Sequence, residues 1–165
     1  MAKGPDYYWK FGPVKQDDNT ECWAASLDWW TKATPDRPHV DKLTLIRDYV
    51  RYWDSRETLD DGSDNPDYGT MSPDNMKKVM DEARWKMNTE VIPGSKFTME
   101  FINQRLQNGP LMIAFNRAGL GGHALCIYGA TPTHYAAMDP DGGKFIGRLA
   151  TYYTQSPMIL VGSAK

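Results

Sequence analysis

The chain has 165 residues, and its 19 Lys and Arg stand against 21 Asp and Glu, for a formal net charge of −2. This balance offers no basic surface for a phosphate backbone and so argues against a nucleic-acid-binding protein. With 41% hydrophobic residues, including six Trp, nine Tyr and five Phe, residues 1–165 can fold as one domain whose core needs no disulfides.

The N-terminal segment 1–21 is rich in Gly, Pro and Asp and carries aromatic residues between Tyr7 and Phe11. This composition predicts an extended lead-in whose rings pack onto the body of the domain. Pro5 and Asp6 interrupt any apolar region of a signal peptide, and no later apolar run approaches the roughly 20 residues of a membrane-spanning helix. We therefore expect neither a signal peptide nor membrane insertion.

Four helices are predicted where apolar residues recur every three or four positions. The first covers about 21–33, and the second follows within 40–53. The third begins after Ser72-Pro73, a typical helix start, and the fourth spans about 97–106 and is closed by Gly109.

Beyond Gly109 the apolar pattern changes to that of β-strands. Five strands are predicted, at about 111–116, 123–130, 135–139, 144–149 and 158–161. Helices followed by strands indicate an α+β fold, with the first helix packed against a C-terminal antiparallel sheet and a cleft between the two halves. The acidic segment 54–70 is expected to be a solvated loop without metal, since its Asp spacing does not match a calcium-binding loop.

Cys22 stands at the first turn of the predicted first helix, where the positive end of the helix dipole favours a thiolate. Because the thiolate is the nucleophilic form, Cys22 is a candidate catalytic residue. Taken alone, it fits better as a small apolar residue on the buried face of the helix. Cys126 lies within an apolar strand and is expected to be buried and inert, and both cysteines are expected to be thiols.

Three further residues strengthen the case for Cys22. Gln16 lies six positions upstream, where a returning loop can aim its side-chain NH2 at the oxygen of an attacked carbonyl. His123 opens an apolar strand after a Gly-rich loop, which suits a general base. Asp139 ends the next strand, and a short turn between the two strands places its carboxylate beside His123. Each residue has an ordinary structural explanation, but their combination is typical of a nucleophile with its base and orienting group.

The motifs Gln16…Cys22-Trp-Ala-Ala, Gly122-His123-Ala-Leu and Asp139-Pro140 resemble those of the papain-like cysteine peptidases. The resemblance is to two compact bacterial branches, the bacteriocin-leader-processing peptidases of ABC transporters and the papain-like effector proteases that bacteria inject into other cells. It spans residues 16–26 and about 109–161. It implies a papain-like fold and a thiol protease with a catalytic triad.

In this resemblance Cys22 is the nucleophile, His123 the acid–base and Asp139 the orienting residue, while Gln16 donates to the oxyanion. Papain itself has Asn as the third member, and an Asp also suits a glutamine deamidase or transglutaminase, which remains the alternative activity. A non-catalytic binding domain with a structural Cys22 is the further alternative.

The substrate is expected to be a protein with a small residue, such as Gly, near the cut. The substrate-binding residues are predicted to be Trp23, Gly121 and Gly122, of which the two glycines form a narrow approach to the histidine. Two cysteines and three scattered histidines offer no zinc spacing, so neither metal nor cofactor is expected.

The resemblance also implies a bacterial effector or toxin that is secreted by a signal-peptide-independent route and acts in the cytoplasm of a target cell. If it is not exported, its place is the bacterial cytoplasm. A cognate immunity or inhibitor protein in the producing cell is the expected partner besides the protein substrate.

Overall fold

The helices of the chain begin at strong N-terminal signals in the sequence. In the computed structural model, which describes residues 3–117, 119 and 121–165, Asp41, Ser72 and Thr98 each cap a helix by accepting a backbone N–H. The helices are α1 (Pro5–Trp9), α2 (Cys22–Ala33), α3 (Lys42–Asp48), α4 (Pro73–Met80), α5 (Met99–Arg105) and α6 (Thr151–Thr154). Short 3-10 turns lie at Val50–Tyr52, Ala83–Trp85, Gly94–Lys96 and Leu106–Asn108.

Helix α2 lies inside the molecule, because residues 23–31 are all buried. Trp29 and Trp30 are both fully buried, and each indole N–H donates to a backbone carbonyl of a distant segment. The chain leaves the helix at Thr34 in an extended conformation, as expected before Pro35. The predicted helix at 21–33 is confirmed to within one residue.

The strands form one six-stranded sheet in which every neighbouring pair is antiparallel. They are β1 (Met87–Pro93), β2 (Leu111–Arg117), β3 (Gly121–Ala130), β4 (His134–Asp139), β5 (Lys144–Leu149) and β6 (Met158–Ala164). The order across the sheet is β1-β6-β2-β3-β4-β5. The five predicted strands and the α+β class are thereby confirmed.

The sheet separates two apolar cores, and β3 supplies both by alternation. Ala124, Cys126 and Tyr128 belong to the core that contains α2, whereas Leu125 and Ile127 belong to the core that contains α5 and α6. Helix α2 packs on β3 and β2, which brings the start of α2 to the end of the sheet where β3 begins.

The structure corrects the predicted elements at four places. Residues 87–93 form an edge strand paired along its length with β6, where the sequence predicted no element. The strand was missed because an edge strand keeps polar residues, which weakens the alternation of apolar and polar positions. The lead-in is not wholly extended, since residues 5–9 form a helix with Tyr8 buried. Helix α6 was not predicted. The predicted second helix ends at Asp48 and continues as a 3-10 turn.

The segment 54–70 has little regular structure and contains two isolated β-bridges. Over the described ranges, no cluster of three or more His, Cys, Asp or Glu side chains is arranged to hold a metal ion. Among the same residues, none of the helices has the length and apolar character needed to cross a bilayer.

Candidate active site

Cys22 is the first residue of α2, and its side chain is half-buried. The helix has no side-chain cap at its N-terminus, where Glu21 occupies the capping position. The first backbone N–H groups of a helix have no partner within it, so they are available to an anion that approaches this end. Cys22 thus combines a thiol with an electropositive helix terminus.

His123 and Asp139 lie side by side at the same end of the neighbouring strands β3 and β4. The Nε2 atom of His123 is 2.7 Å from Oδ1 of Asp139, and both side chains are less than 5% exposed. The backbone N–H of Asp141 also donates to Oδ1, at 3.0 Å, and the guanidinium of Arg148 lies 3.7 Å from Oδ2. The expected juxtaposition of His123 and Asp139 is confirmed.

The ionisation of this pair follows from its contacts. Burial by itself lowers the pKa of His123, but hydrogen bonds to Asp139 and Cys22 outweigh it and raise that pKa to about 8. Burial acts to raise the pKa of Asp139, yet the bond from His123 dominates and the pKa of the carboxyl is lowered. An imidazolium held between a carboxylate and the Cys22 sulfur is therefore favoured near neutral pH. Since Nε2 faces Asp139, Nδ1 is the ring nitrogen left for Cys22.

Gln16 lies in the loop before α2 and is tied to the sheet side of the site. Its backbone N–H donates to the carbonyl of Pro140, the residue after Asp139, at 3.0 Å. Its side-chain Nε2 donates to the carbonyl of Asp18 at 2.9 Å, while Oε1 is buried and has no hydrogen-bond partner among the described residues. The structure brings Gln16 to this region with one side-chain N–H engaged by its own loop and a second one remaining.

A cleft of about 510 Å³ opens beside Cys22 and His123. Its apolar lining consists of Trp23, Met71, Pro73, Met76, Val91, Ala114, Phe115, Met158 and Leu160. Its other lining residues are Asn19, Thr20, Thr70, Asp74, Asn116 and Gly122. The cleft lies between the start of α2, the loop before α4 and the ends of β2, β3 and β6. It is deep and mainly apolar, which suits a bound segment of polypeptide.

The predicted substrate-binding residues occupy different places. Trp23 is almost fully buried, with its indole N–H donating to the carbonyl of Gly69 at 3.1 Å, and it contributes to the cleft wall from within. Gly122 lines the cleft, where an added Cβ would lie 3.7 Å from Oδ1 of Asn116. Gly121 begins β3 with a φ of +77°, a left-handed conformation that favours glycine. In the described part of the chain, the cleft lining includes Gly122 but neither Gly121 nor Gln16.

Sequence reasoning missed the wall of the cleft contributed by Thr70–Met76, Val91 and Met158. The signal was weak, because these residues are distant in sequence and each resembles an ordinary core or loop residue. It also missed the position of Arg148 beside Asp139. Alternation along β5 could have placed Arg148 on the sheet, but it gives no information about the neighbouring carboxylate.

The remaining cysteine and histidines have structural surroundings. Cys126 is fully buried, its thiol donates to the carbonyl of Ser26, and burial raises the pKa of that thiol well above its usual range. Nε2 of His39 lies 2.8 Å from the buried carboxylate of Asp28. His134 is exposed at the start of β4. The expected burial of Cys126 is confirmed.

Comparison with known proteins identifies a family that matches this chain. The model of a family described as "Papain-like cysteine protease AvrRpt2" matches residues 13–156, a range that contains the loop, the helix and both strands of the site. No protein with a curated description matches the sequence of this chain.

Solved structures share the fold at low sequence identity. The peptidase domain of ComA from Streptococcus, a bi-functional ABC transporter involved in quorum sensing, is 13% identical with a TM-score of 0.62, covering 94% of this chain and 99% of that one. A putative C39-like peptidase from Bacillus anthracis is 12% identical with a TM-score of 0.61, covering 94% and 95%. A double glycine motif protease from an AMS/PCAT transporter, solved with its leader peptide, is 18% identical with a TM-score of 0.51, covering 93% and 92%.

Proposed function

The chain belongs to the family of papain-like cysteine proteases described as AvrRpt2, and from this premise we propose that it cleaves a protein substrate with Cys22 as nucleophile, His123 as acid–base and Asp139 as orienting residue. As a member of this family it is a cysteine peptidase and a hydrolase. The assignment of residues rests on the 2.7 Å contact between His123 and Asp139 and on the cleft that His123 shares with Cys22 at the N-terminus of α2.

In the first half of the reaction, the Cys22 thiolate attacks the carbonyl carbon of the scissile peptide bond. A bond forms between Sγ and that carbon, and the carbonyl electron pair moves to the oxygen. We assign the backbone N–H of Cys22 and the free N–H of the Gln16 side chain to this oxyanion. The oxyanion then collapses, the C–N bond breaks, and His123 transfers its Nδ1 proton to the departing amine.

In the second half, water enters and the neutral His123 accepts one of its protons. The resulting hydroxide forms a bond to the thioester carbon, and the Sγ–C bond breaks. The products are a carboxylic acid and the restored pair of Cys22 thiolate and His123 imidazolium. Asp139 keeps its charge throughout and holds Nε2–H, as a buried carboxylate does in related triads.

The substrate is proposed to be an extended protein segment with a small residue, such as Gly, beside the cut. Gly122 supports this, because it lines the cleft directly before His123 and presents no side chain to the bound segment. The double glycine motif protease that shares the fold offers a precedent for such a preference. The apolar wall of Met71, Met76 and Leu160 would contact the residues further from the cut.

For its biological setting, we propose a bacterial secreted effector or toxin that acts on a protein in the cytoplasm of a target cell. Support comes from the family description. The export route is proposed to be independent of a signal peptide. We also propose an inhibitor protein that protects the producing cell, and Cys22 is the group it would have to cover.

Fluorescently labelled casein tests the proposed mechanism, because its disordered chain presents many peptide bonds. We expect wild type to release small fragments and Cys22→Ala to release none. Mass spectrometry of the products distinguishes the alternative activity: cleavage adds the mass of one water per cut, whereas deamidation raises the mass of a glutamine by about one unit without a cut. Full activity of Cys22→Ala would exclude the assignment of the nucleophile.

A further inference from the structure

A buried lysine from α3 lies behind the loop that precedes Cys22. The Lys42 ammonium is 3.0 Å from the carbonyl oxygen of Lys15, 2.6 Å from Oδ2 of Asp17 and 2.9 Å from Oε2 of Glu21. The Lys42 side chain is only 11% exposed. Because an ammonium has three N–H donors, these three acceptors use its full capacity, and all of them lie between residues 15 and 21.

Glu21, the residue directly before Cys22, depends on this lysine. Its side chain is only 3% exposed, and Oε2 forms an ion pair with Lys42 and accepts from the backbone N–H of Asp17, which is 2.7 Å away. A buried carboxylate is costly unless it is paired and hydrogen-bonded. Lys42 supplies the opposite charge and so permits Glu21 to bend the loop back onto the start of α2.

Lys42 is itself held in place from α2. Its backbone N–H donates to Oδ2 of Asp28 at 2.8 Å, and Asp28 is a buried residue of α2. The helix that carries Cys22 therefore fixes the backbone of Lys42, and the side chain of Lys42 fixes the loop. Gln16 lies between Lys15 and Asp17, the two loop residues that Lys42 holds.

Resting on the proposed function, we propose that Lys42 is a positioning residue of the peptidase, whose buried ammonium fixes the Lys15–Glu21 loop and thereby Gln16, the residue that we assigned to the oxyanion. Lys42 does not touch substrate. It acts through the loop, so its loss should weaken oxyanion binding rather than the reactivity of the thiol.

The ionisation of the cluster is consistent with this role. Burial lowers the pKa of Lys42, but the hydrogen bonds to Asp17 and Glu21 outweigh it and raise that pKa above its usual value. The bond from Lys42 also lowers the pKa of Asp17. Lys42 and Asp17 therefore stay ionised at every pH at which His123 changes its charge.

Two reagents separate loop positioning from thiol reactivity. N-acetyl-phenylalanyl-glycinal binds reversibly: a bond forms between Sγ and the aldehyde carbon, and the oxygen takes the electron pair and enters the oxyanion site. Iodoacetamide forms the Sγ–C bond with loss of iodide and develops no oxyanion. The principal variant is Lys42→Met/Glu21→Gln, which removes both charges and leaves no unpaired carboxylate beside Cys22. Glu21→Gln alone is its matched control, because the amide oxygen can still accept from Lys42.

We expect Lys42→Met/Glu21→Gln to lose about 100-fold in aldehyde affinity, since a misplacement of about 1 Å can cost that much. Its iodoacetamide rate should stay within about twofold of wild type, because that reaction needs no oxyanion donor. When Gln16→Ala is added to this variant, the loss of aldehyde affinity should be little greater than that of Gln16→Ala alone, because both changes act on one donor. Arg105→Met, which removes a distant ion pair with Glu90, should alter neither reagent.

Three outcomes would overturn the inference. The first is aldehyde affinity retained within about twofold in the principal variant. The second is full additivity with Gln16→Ala, and the third is a parallel loss with both reagents, which indicates a general structural role. If the variant fails to fold, Lys42→Arg serves instead, since it keeps the charge but changes the shape of the donor group and should lower aldehyde affinity selectively.

The proposed function fails separately from this inference. Wild type that binds the aldehyde through Cys22 but cuts no casein contradicts the peptidase mechanism and leaves the role of Lys42 standing. Wild type that cuts casein while the principal variant binds the aldehyde normally contradicts the role of Lys42 alone. Wild type that is alkylated but never binds the aldehyde overturns both.

Discussion

The two sides of the site are held by different kinds of interaction. On the sheet side, His123 and Asp139 extend from β3 and β4, whose antiparallel pairing fixes their spacing. On the loop side, Gln16 and Cys22 are held by side-chain ion pairs through Lys42 and Glu21. His123 on the sheet side changes charge near neutral pH, because its pKa is about 8, whereas Lys42 on the loop side stays charged, because its pKa is raised above its usual value. Backbone pairing thus positions His123, the proposed base, and buried charges hold the loop of Gln16, the proposed oxyanion donor.

The largest expected effect comes from removing either member of the reacting pair. Cys22→Ala and His123→Ala should each lower kcat on casein by as much as about 10⁶-fold, as for nucleophile and base in other triads. The double variant should be no worse than either single variant, because the two residues act as one unit. Independent, multiplicative losses would show that the two sides of the site do not act together.

Gln16→Ala tests the loop side alone. Loss of one oxyanion donor is typically worth about 10²–10³ in kcat, so this variant should be a weak enzyme with nearly unchanged iodoacetamide labelling. Steady-state hydrolysis of casein and intact-mass labelling measure the two properties. A variant with wild-type kcat would place the oxyanion donor elsewhere, and Asn19, which lines the cleft, would be the next residue to substitute.

The stability of the sheet side should depend on pH in a defined window. The folded pKa of His123, about 8, lies above its ordinary value of 6.5, so protonated His123 stabilises the fold fully below pH 6.5. This contribution, about 2 kcal/mol, is lost as pH rises through 8. Urea unfolding at pH 6 and pH 9 should show the decrease in wild type and not in His123→Asn. The raised pKa of Lys42 gives no slope in this window, since its contribution is lost only above pH 10.5.

Asp139→Asn should have the smallest effect and mainly move the pH profile. The amide of Asn still orients the imidazole. The substitution replaces a charge-assisted hydrogen bond by a neutral one, which is weaker by about 1.4 kcal/mol, and we expect a loss of about tenfold in kcat. Without the carboxylate the pKa of His123 falls, so the decrease of activity on the alkaline side should begin at lower pH. An unchanged alkaline limb would indicate that Asp139 does not set the ionisation of His123.

Local signals in the sequence were sufficient for much of this site. Apolar spacing placed the start of α2 within one residue of Cys22, and two strands joined by a short turn were enough to place Asp139 beside His123. The edge strand β1 was missed because its polar residues face solvent and its alternation is weak. The cleft wall and the Lys42–Glu21 contact were missed because they join residues that only tertiary packing brings together. The catalytic roles themselves stay predictions until the variants are measured.

One backbone hydrogen bond, from Gln16 N–H to Pro140 O, also bears on when the site can exist during synthesis. It closes a loop of more than 120 residues, so it is among the most non-local contacts of the fold and carries a high ordering cost. A nascent chain that ends at Gly109 contains Cys22 but neither β3 nor β4, and so it lacks the proposed base His123. At about 5–20 residues per second, several seconds separate the appearance of Cys22 from that of Asp139. On the proposed mechanism, the nascent chain therefore lacks peptidase activity for most of its translation, and so does an interrupted product that ends before β4.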